Sequence, residues 1–134
     1  MNVKRIVVVV VTLFAASIVA GTVQATPIAG LSEAQRTALG IAFSTPAGLL
    51  VFGLISSNFD VDDYLESRSR AAMFGDLVFV ELAAVIVSLG ASTGLEGALP
   101  GLAGWIGAGG GYFAAFITFS WRASEYLVNP NEDE

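Results

Sequence analysis

Four long apolar runs divide the chain, at residues 6–23, 38–57, 71–89 and 97–121. A membrane hydrocarbon core about 30 Å thick needs about 20 helical residues, and each run has, or nearly has, that length. A soluble helix of this length would carry a polar stripe along one side. Positions 41–55 offer only Ser44 and Thr45. Backbone groups in lipid must be bonded within a helix. The pattern therefore predicts an all-α integral membrane bundle of four transmembrane helices, at about 6–23, 38–57, 71–89 and 100–121, within a single domain 1–128. The segment 129–134, Asn-Pro-Asn-Glu-Asp-Glu, reads as a solvated acidic tail.

The connections fit this reading. Ser32 with Gln35 is a capping box opening the second run. Asp60 and Asp63 can cap a short helix before the third run, with Arg68 and Arg70 in its last turn. Residues 90–97, rich in Gly, Ser and Thr, read as a tight outer turn. If Lys4 and Arg5 face the cytoplasm, Arg68, Arg70 and Arg122 fall on the same inner side. Arg36 alone then lies outside, as the positive-inside rule asks. The first run admits a second reading. The basic flank, the apolar stretch and Val23-Gln24-Ala25 have the layout of a signal peptide cleaved after Ala25. Cleavage would leave three spans in the same orientation.

Composition sharpens the class. Lys and Arg number 6 and Asp and Glu 12, a charged fraction of 13%, about half that of a soluble domain. Net charge −6 excludes the basic face that nucleic-acid binding requires, so no direct nucleic-acid binding is expected. Cys and His are both absent. Disulfides, thiolate or imidazole metal sites and imidazole acid–base chemistry are excluded with them. No Ser, Thr or Lys sits beside an evident base, so no catalytic residue, cofactor site or metal site is assigned. Asp60, Asp62, Asp63 and Glu66 lack the spacing and turn glycine of a calcium loop. Acidic excess with a lone lysine and a pI near 4.4 looks like the surface of a protein living in high salt, where charge repulsion is screened; the other reading is a small mesophilic membrane protein with an acidic loop and tail.

Two carboxylates interrupt the third run. Ionisable groups inside a span are functional candidates by default. Asp76 lies roughly 8 Å from the inner end at 1.5 Å per residue; it can snorkel or meet Arg122 at the matching depth of the fourth run. Glu81 lies near the middle and is rotated from Asp76 by about 140°, so the two do not share one ion site. Glu81 is expected to sit protonated in the bundle interior. Its candidate partners are Thr45 and the Ala42 carbonyl, which Pro46 frees by lacking an N–H. It serves either as interhelical polar glue or as a proton or ion relay.

In the fourth run Gly107 and Gly111 form a small-xxx-small pair. Gly104, Ala108, Gly111 and Ala115 extend a stripe on which helix backbones approach closely. Gly109-Gly110-Gly111 predicts a kink near Gly110; no Lys-Ser/Thr follows, so it is no phosphate loop. Glycines with Trp105, Tyr112, Phe113 and Phe116 also have the composition of a fusion peptide, but Trp121 and Tyr126 read as interfacial anchors.

The four runs, the acidic loop 60–66 and the acidic residues 132–134 together resemble, in size and layout, the small internal membrane protein of haloarchaeal pleomorphic viruses. That resemblance implies a structural envelope protein lining the inner membrane face of virion and host cell. It would self-associate or form a homo-oligomer, have a spike protein as partner, and have both termini inside. A cleavage after Ala25 would depart from it. Two other classes remain: a small channel, holin or transporter-like subunit with Glu81 on its path, and a pilin-like or spindle-virus coat-like subunit beginning at Thr26.

Overall fold

In a computed structural model, which describes residues 3–56 and 58–128, the chain is helical. Helix α1 is Val3–Ala25, α2 Glu33–Ala42, α3 Thr45–Ile55, α4 Val61–Ser67, α5 Arg70–Glu96 and α6 Ala103–Arg122; a 3-10 turn, Ser124–Tyr126, follows. By length and composition α1 and α5 can each cross a membrane, and α2 with α3 makes a third crossing if that bent pair is one broken span. At 20 residues α6 is long enough, but its glycines dilute its apolar content and it does not join them.

Local chemistry sets the boundaries. The capping box is present in full: Gln35 N–H donates to Ser32 Oγ (3.2 Å) and Ser32 N–H donates to Gln35 Oε1 (2.9 Å). Gly30, at φ 83°, turns the chain into it. Residues 38–57 are not one helix. Pro46 cannot donate to the Ala42 carbonyl, and the chain breaks there with a bend of 41° between α2 and α3. The freed carbonyls are met locally. Thr45 Oγ1 donates to Ala42 O, and Ser44 Oγ donates to Ile41 O (2.6 Å).

Residues 90–97 are also not a turn. Helix α5 continues through them to Glu96, because its hydrogen-bond ladder and contacts with α2 override the weak helix preference of Gly, Ser and Thr. Gln35 Nε2, on α2, donates to Thr93 Oγ1 (2.8 Å). Helix α6 likewise runs through Gly109-Gly110-Gly111 without interruption. The short helix α4 is capped by Asp60, whose Oδ1 accepts from Asp63 N–H (2.9 Å). Arg68 is its C-cap rather than part of its last turn, and Arg70 opens α5.

The bundle closes on small residues. On α5, Asp76, Val80, Ala84, Ser88 and Ser92 are buried at every fourth position. From α6, Ala103, Gly104, Gly107, Ala108, Gly111 and Ala115 face inward. A Cβ on Gly107 would stand 2.6 Å from Ser88 O, one on Gly111 2.7 Å from Ala84 O, and one on Gly104 2.7 Å from Ala34 O. Gly40 does the same for α1, with Ala20 O 2.6 Å from its would-be Cβ. These glycines let backbones touch, so dispersion contacts hold the helices where no water-driven burial operates. Large apolar side chains point outward instead: Phe14, Phe74, Ile86 and Phe113 are each at least 65% exposed.

Gly90 and Gly94, on the outer part of α5, have open space where a Cβ would go. Gly111→Val should therefore lower the thermal unfolding midpoint in detergent, with a loss of about 1–3 kcal/mol from overpacking. Gly94→Ala should hold or raise it, by up to about 1 kcal/mol. Circular dichroism melts of the two variants check the pair; equal losses would show that the α5–α6 seam is not set by backbone contact.

Candidate functional site

The site forms where α4 and residues 124–128 fold back over the start of α5 and the end of α6. Asp76 is 1% exposed, so it does not snorkel. Arg68 Nε donates to its Oδ2 (2.6 Å) and Arg68 Nη2 to its Oδ1 (3.0 Å). Arg122 Nε donates to Oδ1 (2.7 Å) and Tyr64 Oη to Oδ2 (3.0 Å). Arg122 is thus one partner among three; Arg68, held in a two-pronged fork, and Tyr64 complete the set.

The cluster also ties elements together. Arg68 Nη1 donates to Glu125 Oε1 (2.6 Å), and Arg68 Nη2 donates to Arg122 O (3.0 Å) at the end of α6. Beside it, Asp60 N–H donates to Tyr126 O (2.9 Å) and Val128 N–H to Asn58 O (3.1 Å), around a bridge between Phe59 and Leu127. The rings of Phe59 and Phe119 lie 5.2 Å apart, and those of Tyr64 and Tyr126 also 5.2 Å apart. The Arg68 guanidinium lies 5.8 Å from each tyrosine ring centre. Tyr126 is therefore buried in this stack, where it accepts from Ser67 Oγ (3.1 Å). It is not an exposed interfacial anchor, because pairing of 58–60 with 126–128 draws it under Arg68.

Electrostatics follow from the contacts. Hydrogen bonding to Asp76 holds the Arg68 guanidinium even more firmly charged than usual. Burial, with the Asp76 bond second, pushes the Tyr64 phenol up to about 12. With four donors on it, Asp76 has no lone pair positioned to act as a base or to take a metal. Its arrangement is that of a mechanical clamp. Among the described residues no group of three acidic side chains is placed to hold a metal ion; Asp60 caps α4 and Asp62 pairs with Arg5 (2.6 Å).

Glu81 is placed differently. Both its carboxyl oxygens are buried and have no hydrogen-bond partner among the described residues. Pro46 shapes the break as the sequence suggests, but the Ala42 carbonyl is taken by Thr45 and not by Glu81. Glu81 therefore makes no interhelical hydrogen bond among the described residues. Between α3, α4 and α5, Pro46, Leu49, Met73, Asp76, Leu77 and Val80 help line an apolar cavity of about 220 Å³. Gly104, Gly107 and Gly111 are packing positions, as described above. Ala25 is the last residue of α1.

Sequence reasoning missed Arg68, Tyr64, Glu125 and Tyr126 as members of the cluster. The available signal was Arg68 itself, eight residues before an intramembrane Asp and separated from it by a helix start at Ser69. No protein-family model, curated protein or solved structure matches the chain.

Asp76→Asn should cost about 3–5 kcal/mol, because it strips the charge that two part-buried guanidiniums share. Hydrogen exchange should accelerate at 59–68 and 124–128 ahead of the α5–α6 seam. Glu81→Met should leave stability unchanged or raise it, since it removes an unpartnered buried carboxyl; a large loss in that variant would reveal a partner. Tyr64 gives a pH signature. Its folded value lies above the ordinary 10, so its contribution is complete below pH 10 and fades as pH climbs towards 12. An ultraviolet phenolate titration of wild type against Tyr64→Phe reads this as the loss of the phenolate step near pH 12.

Proposed function

We propose that this chain is a structural integral membrane protein of a lipid envelope, a four-span bundle that lines the membrane and associates with copies of itself. The observation that carries the reading is the inside-out packing: small residues inside, large apolar side chains outside on every long helix. Exposed apolar area on this scale needs lipid or other helices to cover it. The broken pair α2–α3 and the glycine-rich α6 act as the second and fourth spans. Trp105 and Trp121, 63% and 77% exposed, sit at the two ends of α6, about 24 Å apart along its axis. That is the spacing of two interfacial aromatic positions.

A retained first span is supported by its contacts. Ala20 fills the space over Gly40, and Arg36 Nη1 donates to Gln24 O (3.3 Å) and Thr26 O (3.4 Å). The Arg5–Asp62 ion pair brings the start of α1 to the inner loop, with Arg68, Arg70 and Arg122 at the same end, which favours both termini inside. Self-association has a surface in Gly90-xxx-Gly94, open on the outside of α5 and of the type that lets two membrane helices meet. The acidic balance fits a high-salt host and a virion whose interior faces the acidic segments. A spike protein is the natural second partner on the outer face.

Mass spectrometry of the intact protein from purified particles and from host membrane tests the reading. It should be abundant in particles and retain α1. A mature form beginning at Thr26 would favour the processed coat-like class, and a scarce protein that alters membrane conductance a channel or holin. Cysteine cross-linking at position 86 in vesicles should give dimers that Gly90→Leu with Gly94→Leu abolishes. Unchanged cross-linking in the double variant would remove α5 as the contact.

A further inference from the structure

The clamp leaves one cationic group half used. Arg122 is fixed by Nε on Asp76 (2.7 Å), and its guanidinium carbon lies 4.4 Å from the centre of the Phe79 ring. Gly75 makes room on the other side, where an added Cβ would stand 3.3 Å from Arg122 Nη2. Neither Nη of Arg122 has a hydrogen-bond partner among the described residues, and neither is a buried orphan. A shallow cleft of about 340 Å³ is lined by Arg68, Trp121 and Arg122.

We propose that this corner binds the phosphate of an anionic phospholipid headgroup. A guanidinium locked by a carboxylate and a ring face presents its remaining N–H groups as a preformed fork, which matches two phosphate oxygens. Charge favours an anion. Two guanidiniums share the single buried carboxylate of Asp76, so Arg122, which pairs with no second carboxylate among the described residues, has only half a counter-charge. Glu125 adds negative charge only from the exposed side, through Arg68. The negative end of α6 is already capped, since Phe119 O accepts from Ala123 N–H (2.8 Å) and Arg122 O from Arg68 Nη2 (3.0 Å). Arg70 opens α5 at the same end of the bundle and adds its charge and the positive end of that helix. Trp121, beside the fork and 77% exposed, has the amphipathic ring that settles at headgroup depth. The site rests on the membrane reading above, and it names the lipid that reading leaves open.

The test uses the full chain carrying Trp105→Phe, so that Trp121 is the sole tryptophan. It is reconstituted in mixed phosphatidylcholine–phosphatidylglycerol vesicles, with bromine quencher on one lipid or the other. Phosphatidylglycerol should be enriched at Trp121 about fivefold over phosphatidylcholine, as expected for one well-placed cation at the membrane surface. Arg122→Gln should bring the ratio to about one, while Arg70→Gln should keep most of it.

Equal quenching by both lipids would overturn the site. So would a preference that survives Arg122→Gln, or one abolished by inorganic phosphate, which would make free phosphate the ligand. Quenching by neither lipid would remove the membrane reading and the site together. Should Arg122→Gln fail to fold, the wild-type comparison and Arg70→Gln still decide: a preference lost in Arg70→Gln places the lipid elsewhere.

Discussion

A carboxylate set into an apolar helix must be compensated where it stands, and Asp76 imposes that requirement on the end of the bundle where α5 begins. Its 1% exposure excludes rescue by water. The donors have to be brought to it, and each arrives on a different piece of chain: Tyr64 from α4, Arg68 from the cap that follows it, and Arg122 from the end of α6. Satisfying one side chain thus fixes the fold-back of α4, the length of α6 and the docking of 124–128. A buried ion pair of this kind adds little net stability over an apolar equivalent. Its effect is to select one arrangement, because any other leaves charge unpaired.

The rest of the bundle is organised by the opposite means, the removal of side chains. Where Ala84 O, Ser88 O, Ala34 O and Ala20 O come within 2.6–2.7 Å of a would-be Cβ, only glycine fits, and backbones lie against one another. This explains why glycines in apparently similar settings differ in meaning. Gly107 and Gly111 are required by the bundle, whereas Gly90 and Gly94 meet nothing in the same copy. Their helix penalty of about 1 kcal/mol each relative to Ala has no compensation inside one chain. The self-association proposed above would supply one.

Much of the helical layout was legible because long apolar runs, the Ser32–Gln35 box and the Asp60 cap are local signals. The inward stripe Gly104–Ala115 was legible for the same reason, through the helical period. What the sequence hid was non-local. Residues 90–97 carry the composition of a turn, and nothing nearby in sequence announces that α2 packs alongside and Gln35 reaches Thr93 (2.8 Å). The break at Pro46 was readable as a freed carbonyl but not as a 41° bend, since a mid-span proline can also be absorbed as a mild kink. Arg68 looked like the end of a surface helix, and only the return of the chain over α5 turns it towards Asp76.

The contrast between the two intramembrane carboxylates bears on what the protein does. A relay needs groups that can gain and lose a proton along a connected path. Asp76, at the inner end, is saturated by four donors from three side chains and would have to break the clamp to exchange one. Glu81 has no hydrogen-bond partner among the described residues. Ser88, two turns further along α5, is likewise unpartnered at its hydroxyl and pressed against Gly111. The polar groups of α5 therefore form isolated points rather than a chain, and the fixed one closes the inner end. The fixed geometry of Asp76 and the close backbone contacts at the glycines are what the proposed structural role draws on.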